Sequence, residues 1–319
     1  MDKNNGSNAT DNLHKEDTNR SHYRGAFVLY GMLSIFSIIA NSLILVLIWK
    51  KRSLRTTSNT ILASLAISDL LTGLVAVPMV IACSETLILD VCIAMDISNR
   101  FLAFSSVGHL ILLSVDRYIR IIKPFQYPSM VTEVRLGWAL AFTWVFSLMA
   151  SLVQLTWVLQ PTMDDDTMIR FDLGYDFIHM IVLVLVPLVL MISIYTKVFI
   201  YLRRQSNEIH SELSAHAVSR VKARRRNVNE KKTASLFIAM ITVFIFGLLL
   251  YFLWAIMDDL EVIGLLNITP LTLNIIVIII IFLRFLSALC NPLLCTFIKQ
   301  DFLDALKSFS NALRRSTKV

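Results

Sequence analysis

Ser114-Val115-Asp116-Arg117-Tyr118 closes an apolar run that begins near Cys92, and Arg120, Lys123 and Pro124 follow it. An acid and an arginine at the end of a run long enough to cross a bilayer are costly. Charged groups at that depth persist where they are paired, hydrated or functional. Six other long apolar runs share the chain, and this is the third of the seven. Composition agrees: 56% of residues are hydrophobic and only 17% charged, with a mean hydropathy of +0.66, whereas soluble domains carry about 25% charged residues. A helical span needs about 20 mostly apolar residues. The fold class is therefore an all-α membrane protein, a bundle of seven transmembrane helices. A β-barrel is excluded, because its strands alternate and run only about 10 residues.

Spans are predicted at 26–49, 60–83, 92–118, 136–159, 175–202, 232–257 and 271–297, inside a membrane domain of 25–298. The polar segment 1–24 is expected to lack regular structure. It shows no secretory signal peptide, so the first span would act as a signal-anchor. Lys50, Lys51, Arg52 and Arg55 follow the first span, Arg120, Lys123 and Arg135 the third, and a basic 203–230 connection the fifth. Loops after the second, fourth and sixth carry Glu85, Asp90, Asp164, Asp165, Asp166, Asp172, Asp176, Asp258, Asp259 and Glu261, with Arg170 their one base. The positive-inside rule then puts the N-terminus outside, in a multi-pass protein of the plasma membrane. Glycosylation sequons at Asn5, Asn8, Asn19 and Asn267 fall on the same outer side. In the 299–319 tail, Phe302, Leu306, Phe309 and Leu313 share one helical face, which predicts an amphipathic eighth helix on the bilayer surface.

The net charge of +7 is a matter of membrane sidedness and does not signal nucleic acid. No HExxH, Walker, GxSxG or metal-spaced Cys/His set is present, so no catalysis is expected. No internal repeat supports a transporter.

Each span carries a polar landmark: Asn41, then Leu65-Ala66-Ile67-Ser68-Asp69, Asp116-Arg117-Tyr118, Trp144, Pro187 with Tyr195 eight residues on, Asn291-Pro292, and Phe302 at the start of the tail helix. Singly, each has a plain role as helix glue, kink or interface anchor. In this order and spacing the chain resembles the rhodopsin-like (class A) G-protein-coupled receptors along nearly its whole length. The resemblance implies a receptor that senses an extracellular ligand, a small molecule or a peptide, and activates a heterotrimeric G protein by shifting between two helix packings. Arrestin and receptor kinases are its implied further partners. A sodium ion is the one implied cofactor, an allosteric one, held by Asp69, Ser106, Ser287 and Asn291 with Asn41 near. Oxygen ligands suit a hard cation, and a hydrated cluster without an ion is the alternative.

The same resemblance assigns G-protein coupling and activation to Asp116, Arg117, Tyr118, Phe125, Tyr195, Glu230, Asn291 and Pro292. Arg117 would pair with Asp116 and with Glu230 to hold one face shut, and Phe125 would plug into the G protein. Val107, Pro187 and Phe244 match the family's mid-membrane packing switch. For a ligand, Asp96, Asn99, Arg100, Ala103 and Val107 share one face of the third span. His179, Tyr251 and Phe252 face inward by the resemblance, and Arg284 lies in the seventh span. An internal Asp96–Arg100 pair at i, i+4 is the alternative to ligand contact. Acidic loops above two buried arginines fit a zwitterionic ligand or a peptide.

The chain also departs from the family pattern. The sixth-span Cys-Trp-x-Pro reads Gly247-Leu248-Leu249-Leu250, and the seventh-span Asn-Pro-x-x-Tyr ends in Cys295. These changes motivate a second reading, a receptor-like protein that signals without ligand or not at all. The retinal lysine of opsins is Phe285, and the acid that amine receptors use is Asn99. The loop 160–174 has no Cys to meet Cys92, a lack similar to the melanocortin, adenosine, lipid and cannabinoid receptors. Gln126-Tyr127 and Asp96 also resemble melanocortin features. Cys83 and Cys92 flank a short loop, and both a bridge and two thiols are open there.

Overall fold

A computed structural model describes residues 4–160, 162–211, 228, 235, 238–239, 241–242, 247–257, 260–261, 269–298 and 301–308. Helix α1 (Asn4–Lys50) leads through a 3₁₀ turn at Arg52–Leu54 to α2 (Thr57–Leu71), a π turn at Thr72–Ala76 and α3 (Val77–Thr86). Then come α4 (Leu89–Ile122), α5 (Tyr127–Met130), α6 (Glu133–Leu152), α7 (Leu155–Val158) and α8 (Asp165–His179). A π turn at Met180–Leu185 joins α8 to α9 (Val186–Ser211). Helices α10 (Gly247–Met257), α11 (Pro270–Ile298) and α12 (301–308) complete the described chain.

Among the described residues six helical stretches are long and apolar enough to cross a bilayer: Gly25–Lys50, Thr57–Thr86, Leu89–Ile122, Glu133–Val158, Asp166–Gln205 and Ile275–Leu293. The predicted 232–257 span is represented by α10, and most of its first half lies outside the described residues. The helix of the first span continues back to Asn4, into the segment expected to be irregular. No proline precedes Pro78, and extending an existing helix avoids the cost of nucleation.

Sequence chemistry explains the breaks. Pro78 and Pro187 have no N–H to give the carbonyls of Leu74 and Leu183, which lie in the two π turns. A π turn absorbs the missing bond without ending the helix. Thr56 and Thr132 cap α2 and α6 by accepting the N–H of Asn59 and Arg135 at 3.4 and 3.3 Å. Asp164 does the same for α8, accepting from Thr167 N–H at 3.1 Å. That cap starts the fifth-span helix ten residues before the predicted Tyr175, so the acids read as loop residues at 172 and 176 stand on a helix. Between α3 and α4, Leu87 takes the left-handed conformation (φ 51°), and the structure bridges Cys83 to Cys92 across this tight link.

Helix α4 is the buried axis of the bundle, packed against α2, α3, α6 and α9. Its inward face holds Val107, Leu110 and Leu113 with the polar residues Ser106, His109 and Asp116. On α6 the large side chains Trp138, Phe142, Val145 and Met149 are exposed, an apolar outer stripe that suits lipid. Helix α6 nears α4 at Gly108, where a Cβ would lie 2.4 Å from Thr143 Cγ2.

Candidate functional site

Asp116 and Arg117 sit near the end of α4, both buried. Ser58 Oγ donates to Asp116 Oδ2, and Tyr127 Oη donates to Asp116 Oδ1 at 2.6 Å. Arg120 Nη2 is 3.9 Å from the same carboxylate, donates to Tyr127 Oη at 2.5 Å, and lies 4.6 Å from the Tyr127 ring centre. The pairing of Asp116 with Arg117 is thereby corrected: the ion-pair partner is Arg120. Neighbours in a helix point about 100° apart, whereas i and i+4 share a face. Burial pushes the Tyr127 hydroxyl up from its ordinary pKa, and the bond to Asp116 adds to this. It remains a donor at neutral pH. Glu230, the expected partner of Arg117, lies outside the described residues, as does Phe244. Tyr118 packs beside Ile121, Val198 and Leu202. Phe125 is 99% exposed, and Tyr195 is buried on α9. Ser58 carried no sequence signal, Arg120 marked only membrane sidedness and Tyr127 only a family resemblance; their joint hold on Asp116 was not legible, since the α2–α4–α5 meeting that joins them is tertiary.

A second polar cluster fills the middle of the bundle. Asn291 Nδ2 donates to Asp69 Oδ2 at 2.9 Å, Ser106 Oγ meets Ser68 Oγ at 3.2 Å, and Asn41 Nδ2 donates to the Ala288 carbonyl at 3.2 Å. Ser287 Oγ donates to the Arg284 carbonyl at 2.6 Å. Asp69, Ser106, Ser287 and Arg284 line a cavity of about 20 Å³, room for roughly one water-sized sphere. Asn291 Oδ1 is buried without a hydrogen-bond partner. The oxygens of Asp69, Ser106 and Ser287 on that wall suit a small hard cation, whereas the Arg284 guanidinium on the same wall opposes one. Val107 and Pro187 are buried on α4 and α9, and Pro292 sits inside α11 beside Asn291.

At the opposite end of α4 from Asp116, four charged side chains meet. Arg100 donates from Nε to Asp96 Oδ2 at 2.7 Å and from both Nη atoms to Asp176, one of them at 3.4 Å. Its guanidinium also lies 4.9 Å from the Tyr175 ring centre and 5.9 Å from that of Phe252. Tyr251 Oη donates to Asp96 Oδ1 at 2.9 Å. Arg284 donates to the Asn99 carbonyl and lies 4.5 Å from the Tyr251 ring centre. His179 stacks on Phe104 at 5.0 Å, and Phe104 on Phe252 at 6.3 Å. The geometry thus joins Asp96, Asn99, Arg100, His179, Tyr251, Phe252 and Arg284. It adds Asp176, which stands on α8 and not in a loop; the signal in the sequence that points to it is its spacing from His179 on one helix face.

A family model described as "7 transmembrane receptor (rhodopsin family)" matches residues 40–294. The chain is 27% identical over 315 residues to trace amine-associated receptor 7a of Rattus norvegicus, covering 92% of this chain and 84% of that one. It is 26% identical over 195 residues to the histamine H2 receptor of Cavia porcellus, covering 57% and 54%. It is 27% identical over 195 residues to octopamine receptor beta-2R of Chilo suppressalis, covering 56% and 48%. A match of that extent, on a bundle of apolar helices with these polar clusters, places the chain in the rhodopsin family of seven-transmembrane receptors.

Proposed function

We propose that the Asp96–Arg100–Asp176–Tyr251–Arg284 cluster receives the ligand and that the Asp116–Arg117 end of α4 answers it. The chain is a G-protein-coupled receptor and not an enzyme; it senses an extracellular ligand and activates a heterotrimeric G protein. The observation that carries the site reading is α4 itself, one continuous helix with a buried charge cluster at each end. Arginine and carboxylate in a bilayer are expensive, and their concentration at both ends of the bundle axis supports function at both. Ligand binding at one end shifts the helix packing around Val107 and Pro187, and Arg117 is released at the other to admit the G protein. Phe125, fully exposed in the link to α5, is the side chain that meets the G protein.

Asp69, Ser106, Ser287 and Asn291 would hold a sodium ion that favours the resting packing. The basic 203–230 connection and Ser308, Ser310, Ser316 and Thr317 offer contacts to receptor kinases and arrestin. The N-terminus lies outside, with Asn5, Asn8 and Asn19 glycosylated, in the plasma membrane.

The altered motifs at Gly247–Leu250 and Cys295 favour a second reading, signalling without ligand. One assay tests both: G-protein nucleotide exchange in cells expressing the intact chain or Arg117→Ala, with no ligand added and surface expression matched. Basal exchange lost in Arg117→Ala supports the coupling role. Basal exchange unchanged by the substitution would remove it.

A further inference from the structure

Two guanidiniums and two carboxylates occupy the ligand end of the bundle, and they are not shared evenly. Arg100 takes both Asp96 and Asp176, with Asp176 gripped by two N–H groups. Arg284 is 8% exposed, and among the described residues no carboxylate lies within 4.0 Å of it. Its partners are the neutral carbonyl of Asn99 and the side chain of Tyr251. A guanidinium presents five N–H donors in a planar fork that matches a carboxylate. A buried cation that touches only a carbonyl and a tyrosine, with the Asp96 carboxylate acting on it from beyond 4.0 Å, is under-compensated. An incoming amine, by contrast, would have to break the Arg100–Asp176 or Arg100–Asp96 pair and would then face Arg284.

We propose that the ligand of this receptor carries a carboxylate and that Arg284 binds it, so that the charge read at this site is opposite to that of the amines for which the relatives are named. The inference rests on the reading of this cluster as the ligand site. Tyr251 joins the two halves: it donates to Asp96 and lies against Arg284. A carboxylate arriving at Arg284 therefore pulls on the same tyrosine that holds the Asp96–Arg100 pair, and so on α4.

The test uses purified full-length receptor in detergent and its melting temperature. The probes are acetate, benzoate, phenylacetate and 3-phenylpropionate as sodium salts against equal sodium chloride, with 2-phenylethylamine hydrochloride for comparison. At a concentration ten times Kd, a bound acid raises Tm by roughly 3–6 °C. The expected result is a rise with at least one acid and none with the amine. Arg284→Gln should abolish that rise and Arg284→Lys, which keeps the cation should Gln prove unstable, should retain part of it. A rise with the amine, an acid rise unaffected by Arg284→Gln, or no rise with any acid would overturn the proposal. This binding readout does not depend on coupling. A wild type that binds the amine keeps the ligand site and loses the anion, whereas loss of the site itself would appear as no response to either charge.

Discussion

Trp144 gives its indole N–H to Ser64 Oγ at 3.0 Å, and Ser64 Oγ meets His109 Nε2 at 2.7 Å, with His109 Nδ1 at 2.6 Å from the Ser105 carbonyl. Three helices are tied by one buried hydroxyl, and the bond to the Ser105 carbonyl places the His109 proton on Nδ1, leaving Nε2 to accept from Ser64. The sequence marked Trp144 by its place in an ordered set of landmarks, but His109 and Ser64 carry no pattern of their own. Trp144→Phe removes a single donor, so a loss of about 1 kcal/mol is expected, read as a fall of about 2–4 °C in the melting of the purified chain. At the other end Tyr127→Phe removes the phenolic donor to Asp116. Bonds to charged groups contribute about 1.5–3 kcal/mol, less here because Tyr127 is half-exposed. Basal nucleotide exchange should rise in Tyr127→Phe, and an unchanged or lower rate would mean that this bond does not restrain α4. Asp116 and Arg117 were legible as residues because charge is costly in a membrane; their partners were not, because Ser58 and Tyr127 arrive from separate helices.

Helix identity was legible from apolar length, while helix ends and irregularities followed from caps and prolines. The extra turns of α8 come from Asp164, whose carboxyl is held below its ordinary pKa by the Thr167 hydroxyl and then by the Thr167 N–H. A depressed folded-state pKa means that the cap is fully present above the unfolded value of 3.8 and is lost as pH falls through the lower folded value. Amide exchange at Thr167 should therefore accelerate only in acid below pH 3.8, and Asp164→Asn should remove that pH dependence. The α4–α6 contact depends on Gly108, where a Cβ would come within 2.4 Å of Thr143 Cγ2. Gly108→Val forces the helices apart or twists Thr143, and overpacking of this kind costs about 1–3 kcal/mol. Its melting temperature should fall, and Thr143→Ala in the same chain should restore part of the loss. Apolar patterning could not reveal this crossing, since a glycine in a membrane helix has many uses.

Among the described residues the buried polar groups sit within an apolar core, and large apolar side chains cover the outside of the bundle, as the lipid solvent requires. One continuous helix links the Asp96–Arg100 cluster to Asp116, with Asp69 beside its midpoint. If the central cavity holds sodium, replacing choline chloride by sodium chloride raises the melting temperature of the purified receptor by a few degrees at most, roughly the effect of 1 kcal/mol. Asp69→Asn should erase the difference, and an equal response to both salts in the native chain would mean that no sodium binds there. By itself the sequence determined the class, the number of spans and the residues too costly to be in a membrane without cause. These follow from the transfer free energy of side chains and from element length, both local properties of the chain. Only the tertiary structure decided which charge answers which: that Asp116 belongs to Ser58, Tyr127 and Arg120, that Asp176 completes Arg100, and that Arg284 is left beside a carbonyl and a ring. Pairing depends on distances of a few ångströms between different helices, and one-dimensional periodicity holds no information about them.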